Sequence, residues 1–136
     1  MKHEKLHRLT FISAGIYNLA WGLYSGIDPQ WLFRFSGLPL LNHPHIFACL
    51  GMVVGLYGIL HLEVARNPAT GFLIGSLGLF GKILGPIGWS YLYLMGEWPF
   101  KSIVLILFND IIWWIPFVTY VLDSKDQYLK TFQRKS

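Results

Sequence analysis

Four long apolar runs, each near the length needed to cross a lipid bilayer, dominate this sequence. They cover residues 9–26, 46–62, 71–95 and 102–122. A helix needs about 20 residues to cross the roughly 30 Å hydrocarbon core of a bilayer. Backbone amides cannot remain unpaired in lipid, and the runs lack the alternating pattern of barrel strands. They therefore predict a single domain over residues 1–136, an all-α integral membrane four-helix bundle.

The composition agrees with a lipid environment. Hydrophobic residues make up 54% of the chain and charged residues only 13%, against about 25% charged residues in a typical soluble domain. The basic residues form no stripe that would indicate a nucleic-acid partner. Cys49 is the single cysteine, so the sequence excludes an internal disulfide and a paired-cysteine metal cluster. The first run follows basic residues but lacks a cleavage site, so we expect a retained helix.

The positions of the basic residues predict the orientation of the bundle. Basic residues are concentrated in the two tails and in the second loop, which predicts that both termini are cytoplasmic. These eight residues are Lys2, Lys5, Arg8, Arg66, Lys125, Lys130, Arg134 and Lys135. The other two loops carry only Arg34 and Lys101, so we expect them on the outer side.

The first outer loop contains a predicted short helix, "DPQWLFRFSG". Asp28 is the expected N-cap, Pro29 the first helical residue and Gly37 the C-terminal stop. The apolar and aromatic residues of this segment favour a position in the outer membrane interface. A tight connector anchored by its aromatic side chains is the alternative.

A lysine near the middle of the third run is the most unusual feature of the sequence. Lys82 at that depth costs about 2.5–3.5 kcal/mol on insertion scales. Asn109 and Asp110 lie near the middle of the fourth run and Asn18 near the middle of the first. Because consecutive spans are antiparallel, we expect Lys82 to pair with Asp110 inside the bundle. Either charge alone would be left unpaired in a buried site.

Pro86 adds a backbone irregularity next to this lysine. A proline cannot donate the helical hydrogen bond to the carbonyl of Lys82 four residues earlier. With Gly81, Gly85 and Gly88 nearby, a kink is expected. The freed carbonyl must then find a partner in another helix, a water molecule or a ligand. Most glycines of the second and third runs are predicted to serve close helix packing.

These features predict a polar site at the membrane midplane. Lys82 and Asp110 are the candidates for catalysis, although the same pair could be a purely structural latch. The predicted ligand-binding residues are the polar residues at this depth and two aromatic residues: Asn18, Tyr57, Lys82, Asn109, Asp110 and Trp113. Whether the site holds a cofactor cannot be read from the sequence.

Two histidine clusters do not predict a metal site. His61 and Glu63 are two residues apart and do not share a helical face. His43 and His45 precede Cys49, but two loop histidines and a lone cysteine are a weak metal signal. The sequence therefore predicts no metal site.

The segment "GMVVGLYGILHLEVARNP … GLFGKILGPIG" resembles a group of small four-helix bacterial inner-membrane proteins without an established activity. Their layout is similar to that of DoxX-like proteins, and some are labelled alkyl hydroperoxide reductase. The resemblance implies a multi-pass protein of the bacterial inner membrane. Peroxide reduction by that class of reductase requires reactive cysteines, and Cys49 alone in an apolar helix does not supply them.

Three functions follow as alternatives. The favoured one is binding or processing of a small apolar or lipid-like ligand at the midplane site. The second is an accessory subunit that docks to a membrane protein partner, and the third is a small proton-coupled carrier, which would require a homo-oligomer. The expected surroundings are a lipid membrane and no nucleic acid. Whether the protein is an enzyme stays open.

Overall fold

The computed structural model describes the backbone of residues 1–133 and the side chains of residues 1–130, and within that part all secondary-structure elements are helices joined by short connections. The helices are α1 (Glu4–Ile27), α2 (Trp31–Ser36), α3 (Pro44–Arg66), α4 (Phe72–Leu94), α5 (Ile103–Asn109) and α6 (Trp114–Gln133). Short 3₁₀ turns cover Phe100–Ser102 and Ile111–Trp113. Arg134 and Lys135, used above for the orientation, lie outside the described residues.

Among the described residues, three helical segments are long and apolar enough to cross a membrane. They are Pro44–Arg66, Phe72–Leu94 and Phe100–Lys130, the last of which contains α5 and α6. They correspond to the second, third and fourth predicted spans. Helix α1 has 24 residues, enough to cross a bilayer, but its mean hydropathy does not place it in this group.

Helices α1 and α3 pack closely along their length because glycines face each other at their contact. A Cβ atom at Gly22 would lie 2.8 Å from the Cα of Gly55, and one at Gly58 would lie 2.8 Å from the carbonyl oxygen of Gly15. Larger residues would force the two backbones apart. The predicted packing role of the second-run glycines is thus confirmed at this contact.

The apolar core lies towards one end of the bundle, where α1, α3 and α6 meet. It is built from Phe11, Ala14, Val64, Ala65, Phe117 and Tyr120. The Tyr120 hydroxyl donates a 2.8 Å hydrogen bond to the carbonyl of Pro68. This bond fixes α6 to the loop between α3 and α4.

The predicted short helix in the first loop is present, but it begins later than expected. Its N-cap is Gln30 rather than Asp28, and it ends at Gly37, whose φ of 71° is left-handed as the sequence predicted. Gln30 instead exchanges two hydrogen bonds with the backbone of Leu41, of 2.8 and 2.9 Å. The loop is therefore closed by a side chain, and the carboxylate of Asp28 pairs with Arg34.

The sequence predicted one continuous helix over the fourth apolar run, and this was wrong, because the run is divided into two helices. Helix α5 ends at Asn109, Asp110 has φ −125° and ψ −59°, and a 3₁₀ turn leads into α6. Pro86, where we expected the irregularity, lies inside the single helix α4. The break between α5 and α6 leaves backbone groups without helical hydrogen-bond partners at the level of Lys82.

Candidate functional site

Lys82 is buried among α4, α5 and the start of α6. Its Nζ lies 3.8 Å from the Oδ1 of Asp110, and the two side chains are 10% and 4% exposed. The predicted pairing of these residues in the bundle interior is confirmed. The Lys82 ammonium also donates a hydrogen bond to the backbone carbonyl of Asn109.

The broken helix explains why a backbone carbonyl is available to this lysine. In a continuous helix the Asn109 carbonyl would accept the amide of Trp113. Here that amide bonds to the carbonyl of Asp110 at 3.1 Å. The ammonium of Lys82 occupies the vacated acceptor, and a cation at a helix C-terminus also interacts favourably with the helix dipole. The indole of Trp113 donates to the Phe108 carbonyl at 3.1 Å.

The carbonyl of Lys82 itself has a partner from another helix. Pro86 cannot donate to it, and the indole Nε1 of Trp114 does so instead at 2.9 Å. One end of the residue is thus held by α6 and the other by the end of α5. The sequence predicted that this carbonyl needs a partner but not which residue supplies it.

Asp110 is accommodated by a glycine on the facing helix. A Cβ atom at Gly85 would overlap the carboxylate of Asp110. The side-chain amide of Asn109 donates a 3.0 Å hydrogen bond to Asp110 Oδ1. This carboxylate oxygen is therefore the acceptor for Asn109 and the nearer ion-pair partner of Lys82.

Asn18 reaches the same region from α1, together with a histidine to which the sequence analysis assigned no role. The Nδ2 of Asn18 lies 3.4 Å from the Nδ1 of His61, and the two residues are 5% and 1% exposed. The His61 ring packs against the rings of Phe11 and Phe117. Among the described residues its Nε2 has no hydrogen-bond partner. Asn18 thus joins the polar site to the aromatic core.

A cavity of about 320 Å³ opens beside these side chains. Its polar lining comes from Asn18, Lys82, Asn109 and Asp110, and the remainder is mostly apolar. The other lining residues are Trp21, Leu50, Val53, Val54, Tyr57, Leu77, Gly78 and Gly81. Protein pockets for small molecules are typically about 300–1,000 Å³, mostly apolar with a few polar groups. The cavity fits that description at the lower end.

The structure brings five of the six predicted binding residues to this cavity. The exception is Trp113, which is not part of the lining and packs instead against Tyr17, with 5.9 Å between the ring centroids. Tyr17 lies beside the lysine, and Lys82 Nζ is 5.9 Å from the centre of its ring. The sequence analysis missed Trp21, which lines the cavity, and His61, which contacts Asn18 but is not part of the lining. Trp21 lies three residues after Asn18 on α1, and this spacing places both on one helical face, so it was a usable signal. His61 belongs to a different helix, and no spacing along the chain connects it with Asn18.

The chain matches no protein-family model, and comparison with curated proteins and with solved structures found no significant match.

Proposed function

We propose that this protein is a multi-pass protein of the bacterial inner membrane that binds a small apolar or lipid-like molecule in the cavity between α1, α3, α4 and α5. The observation that carries the proposal is the cavity itself. Its walls are mostly apolar, and its polar part is a buried ion pair beside two amides. Ionisable residues within membrane spans usually mark functional sites.

The hydrogen bonds of Lys82 favour one kind of ligand. An ammonium has three donors. One is directed at the Asn109 carbonyl, and Asp110 is the neighbouring counter-ion. A remaining donor is available to an oxygen atom in the cavity. Because the lysine and aspartate charges compensate each other, an uncharged molecule with one carbonyl or hydroxyl oxygen is the best fit.

We also propose that α1 crosses the membrane as the first of four spans, with both termini in the cytoplasm and α2 in the outer interface. The polar residues of α1 that are buried within the protein include His7, Thr10, Asn18 and Ser25. Its exposed surface carries Leu9, Ile16 and Leu23, which are 58–67% exposed. The outward face of α1 is thus apolar although its mean hydropathy is modest. Four spans are also the layout of the small inner-membrane proteins that the second and third runs resemble.

A cavity-filling substitution tests the binding proposal. Gly81 lines the cavity, and a Cβ atom there meets no described atom within 4 Å. Gly81→Leu should fill the cavity without displacing a neighbour. Gly88 lies two turns further along α4, has the same open surroundings and is not part of the cavity lining. Gly88→Leu is therefore the matched control.

The readout is the set of lipids and small molecules that co-purify in mild detergent, identified by mass spectrometry. We expect the parent protein and Gly88→Leu to retain one compound in a fixed molar ratio, and Gly81→Leu to lose it at an unchanged melting temperature. The same compounds in all three preparations would contradict the proposal. If a compound is retained, its conversion by the parent but not by Lys82→Met would make the protein an enzyme.

The same preparations separate the two rival functions. An accessory subunit should bring a second membrane protein in a fixed ratio and no small molecule. A proton-coupled carrier should acidify or alkalise the lumen of proteoliposomes in a substrate-dependent way.

A further inference from the structure

A second polar cluster lies where the beginning of α1 meets α6, apart from the midplane cavity. His3 is the N-cap of α1 and His7 lies four residues later, so both face the same side of the helix. His3 Nδ1 and His7 Nε2 each lie 2.9 Å from the Oδ2 of Asp123. One ligand atom from each residue lies within 4.8 Å of the other two.

The three side chains differ in exposure in a way that leaves one open side. His7 is fully buried, Asp123 is 15% exposed and His3 is 46% exposed. Among the described residues, His7 Nδ1 has no hydrogen-bond partner. The polar contact of this buried ring is therefore directed at Asp123, and the cluster can be reached from the side of His3.

Two imidazoles and one carboxylate suit a transition-metal ion rather than Mg²⁺ or Ca²⁺, which prefer oxygen ligands. Zinc sites that keep an open position commonly have three protein ligands and a water molecule. Bonds of about 2.0–2.1 Å in a tetrahedral site separate the ligand atoms by roughly 3.3 Å. Two of the observed separations are 2.9 Å, and the two histidine nitrogens lie within 4.8 Å of each other, so small side-chain movements would accommodate an ion.

We propose that His3, His7 and Asp123 bind a divalent ion of the zinc type, with water completing the coordination at the open side. The ion would bind α1 to α6 at the end of the bundle that holds the aromatic core. This inference reverses the sequence-based expectation of no metal site. It does not depend on the midplane cavity or on its ligand.

The rival explanation is a hydrogen-bonded latch, in which the histidines hold Asp123 without an ion. Co²⁺ distinguishes the two, because it substitutes for zinc and its visible absorption reports coordination. The protein should carry no polyhistidine tag, be treated with a chelator, and be titrated in detergent with Co²⁺ and then with Zn²⁺. We expect one equivalent of Co²⁺ to give a visible spectrum that Zn²⁺ abolishes.

Four variants locate the site. His3→Ala removes a half-exposed ligand and Asp123→Asn is nearly isosteric, so both should fold. Substituting a residue that only hydrogen-bonds to a metal ligand lowers metal affinity by about 10–100-fold. Because His3 and Asp123 are themselves proposed ligands, we expect each of these two variants to lose at least about 10-fold in Co²⁺ affinity. Asp126→Asn removes an exposed carboxylate from the same helix as Asp123, and His45→Ala removes an exposed histidine in the first turn of α3. These two controls should bind Co²⁺ like the parent.

Two results of the Co²⁺ titration would overturn the proposal. One is a parent protein that shows no stoichiometric Co²⁺ spectrum. The other is a spectrum that survives both His3→Ala and Asp123→Asn. Melting temperatures of the metal-free proteins add a further criterion. If both variants melt below the parent and Zn²⁺ leaves the parent's melting temperature unchanged, the cluster is a latch and binds no ion.

Discussion

The indole of Trp114 donates a 2.9 Å hydrogen bond to the backbone carbonyl of Lys82, the acceptor that Pro86 leaves without its helical donor. A proline in one helix is thus matched by a tryptophan in another. The same lysine uses its ammonium to bind the carbonyl of Asn109, which the break after α5 leaves open. The proline in α4 and the break after α5 each leave one backbone carbonyl without its helical donor, and Lys82 takes part in the hydrogen bonds that satisfy both carbonyls.

Trp114→Phe should destabilise the protein because it leaves the Lys82 carbonyl without a partner. The expected loss in the free energy of unfolding is about 1–3 kcal/mol, measured by denaturant titration in detergent. Pro86→Ala supplies an amide that can donate to the same carbonyl. Trp114→Phe should consequently cost much less in the Pro86→Ala background. Equal costs in both backgrounds would show that Trp114 stabilises the protein through packing alone.

Lys82→Met and Asp110→Asn should each lower the free energy of unfolding by about 3–5 kcal/mol, since each disrupts a buried ion pair. The double variant should recover only part of this loss. It removes both charges, but the Asn109 carbonyl still lacks the donor that Lys82 provides, at about 1–3 kcal/mol. Complete recovery in the same titration would mean that this backbone contact contributes nothing.

Gly85→Ala should destabilise the protein by about 1–3 kcal/mol through overpacking. Its added methyl group would overlap the Asp110 carboxylate and disturb the ion pair with Lys82. Gly88→Ala adds the same group where no described atom lies within 4 Å. Alanine is the better helix former, so this control should melt at or above the temperature of the parent. A Gly85→Ala protein as stable as Gly88→Ala would contradict the observed contact.

Cysteine labelling decides whether α1 crosses the membrane. In a Cys49→Ser background, one residue at a time is replaced by cysteine, and intact cells are treated with a thiol reagent that does not cross the membrane. The four positions are Lys2, Arg66, Lys101 and Lys130. With four spans, Lys101→Cys should react and the other three should be protected. If α1 lies outside the membrane on the outer side, Lys2→Cys reacts as well while Lys130→Cys does not. That labelling pattern would reduce the number of spans to three.

The sequence predicted the helical class and the three spans that the structure supports, because long apolar runs have few physical solutions in lipid. It also predicted that Lys82 is buried beside Asp110. An isolated charge at that depth is costly, and Asp110 is the acidic residue at the matching level of the next run. These predictions rest on length, hydropathy and depth, all of which can be read along a single chain.

The position of the break in the fourth run could not be predicted in the same way. Pro116 lies in the first turn of α6 and cannot donate a helical hydrogen bond to Ile112, so the run does contain a local signal for an interruption. Asn109 and Asp110 are not strong helix breakers, and Pro116 does not by itself require α5 to end at Asn109. The break is stable because Lys82 of α4 binds the Asn109 carbonyl, and the indole of Trp113 binds that of Phe108. Such partners are distant in sequence or depend on a side-chain direction, and helical periodicity determines neither.

Hydropathy and depth along the chain thus determined that this protein is helical and apolar and that it buries a lysine beside an aspartate. Only the tertiary structure decided which groups complete the site. The hydrogen-bond partner of the Lys82 carbonyl is Trp114, that of the Asn18 side chain is His61, and that of both His3 and His7 is Asp123. The physical reason is that hydrogen bonds and ion pairs act over a few ångströms. The packing of separate helices determines which polar groups come within that range.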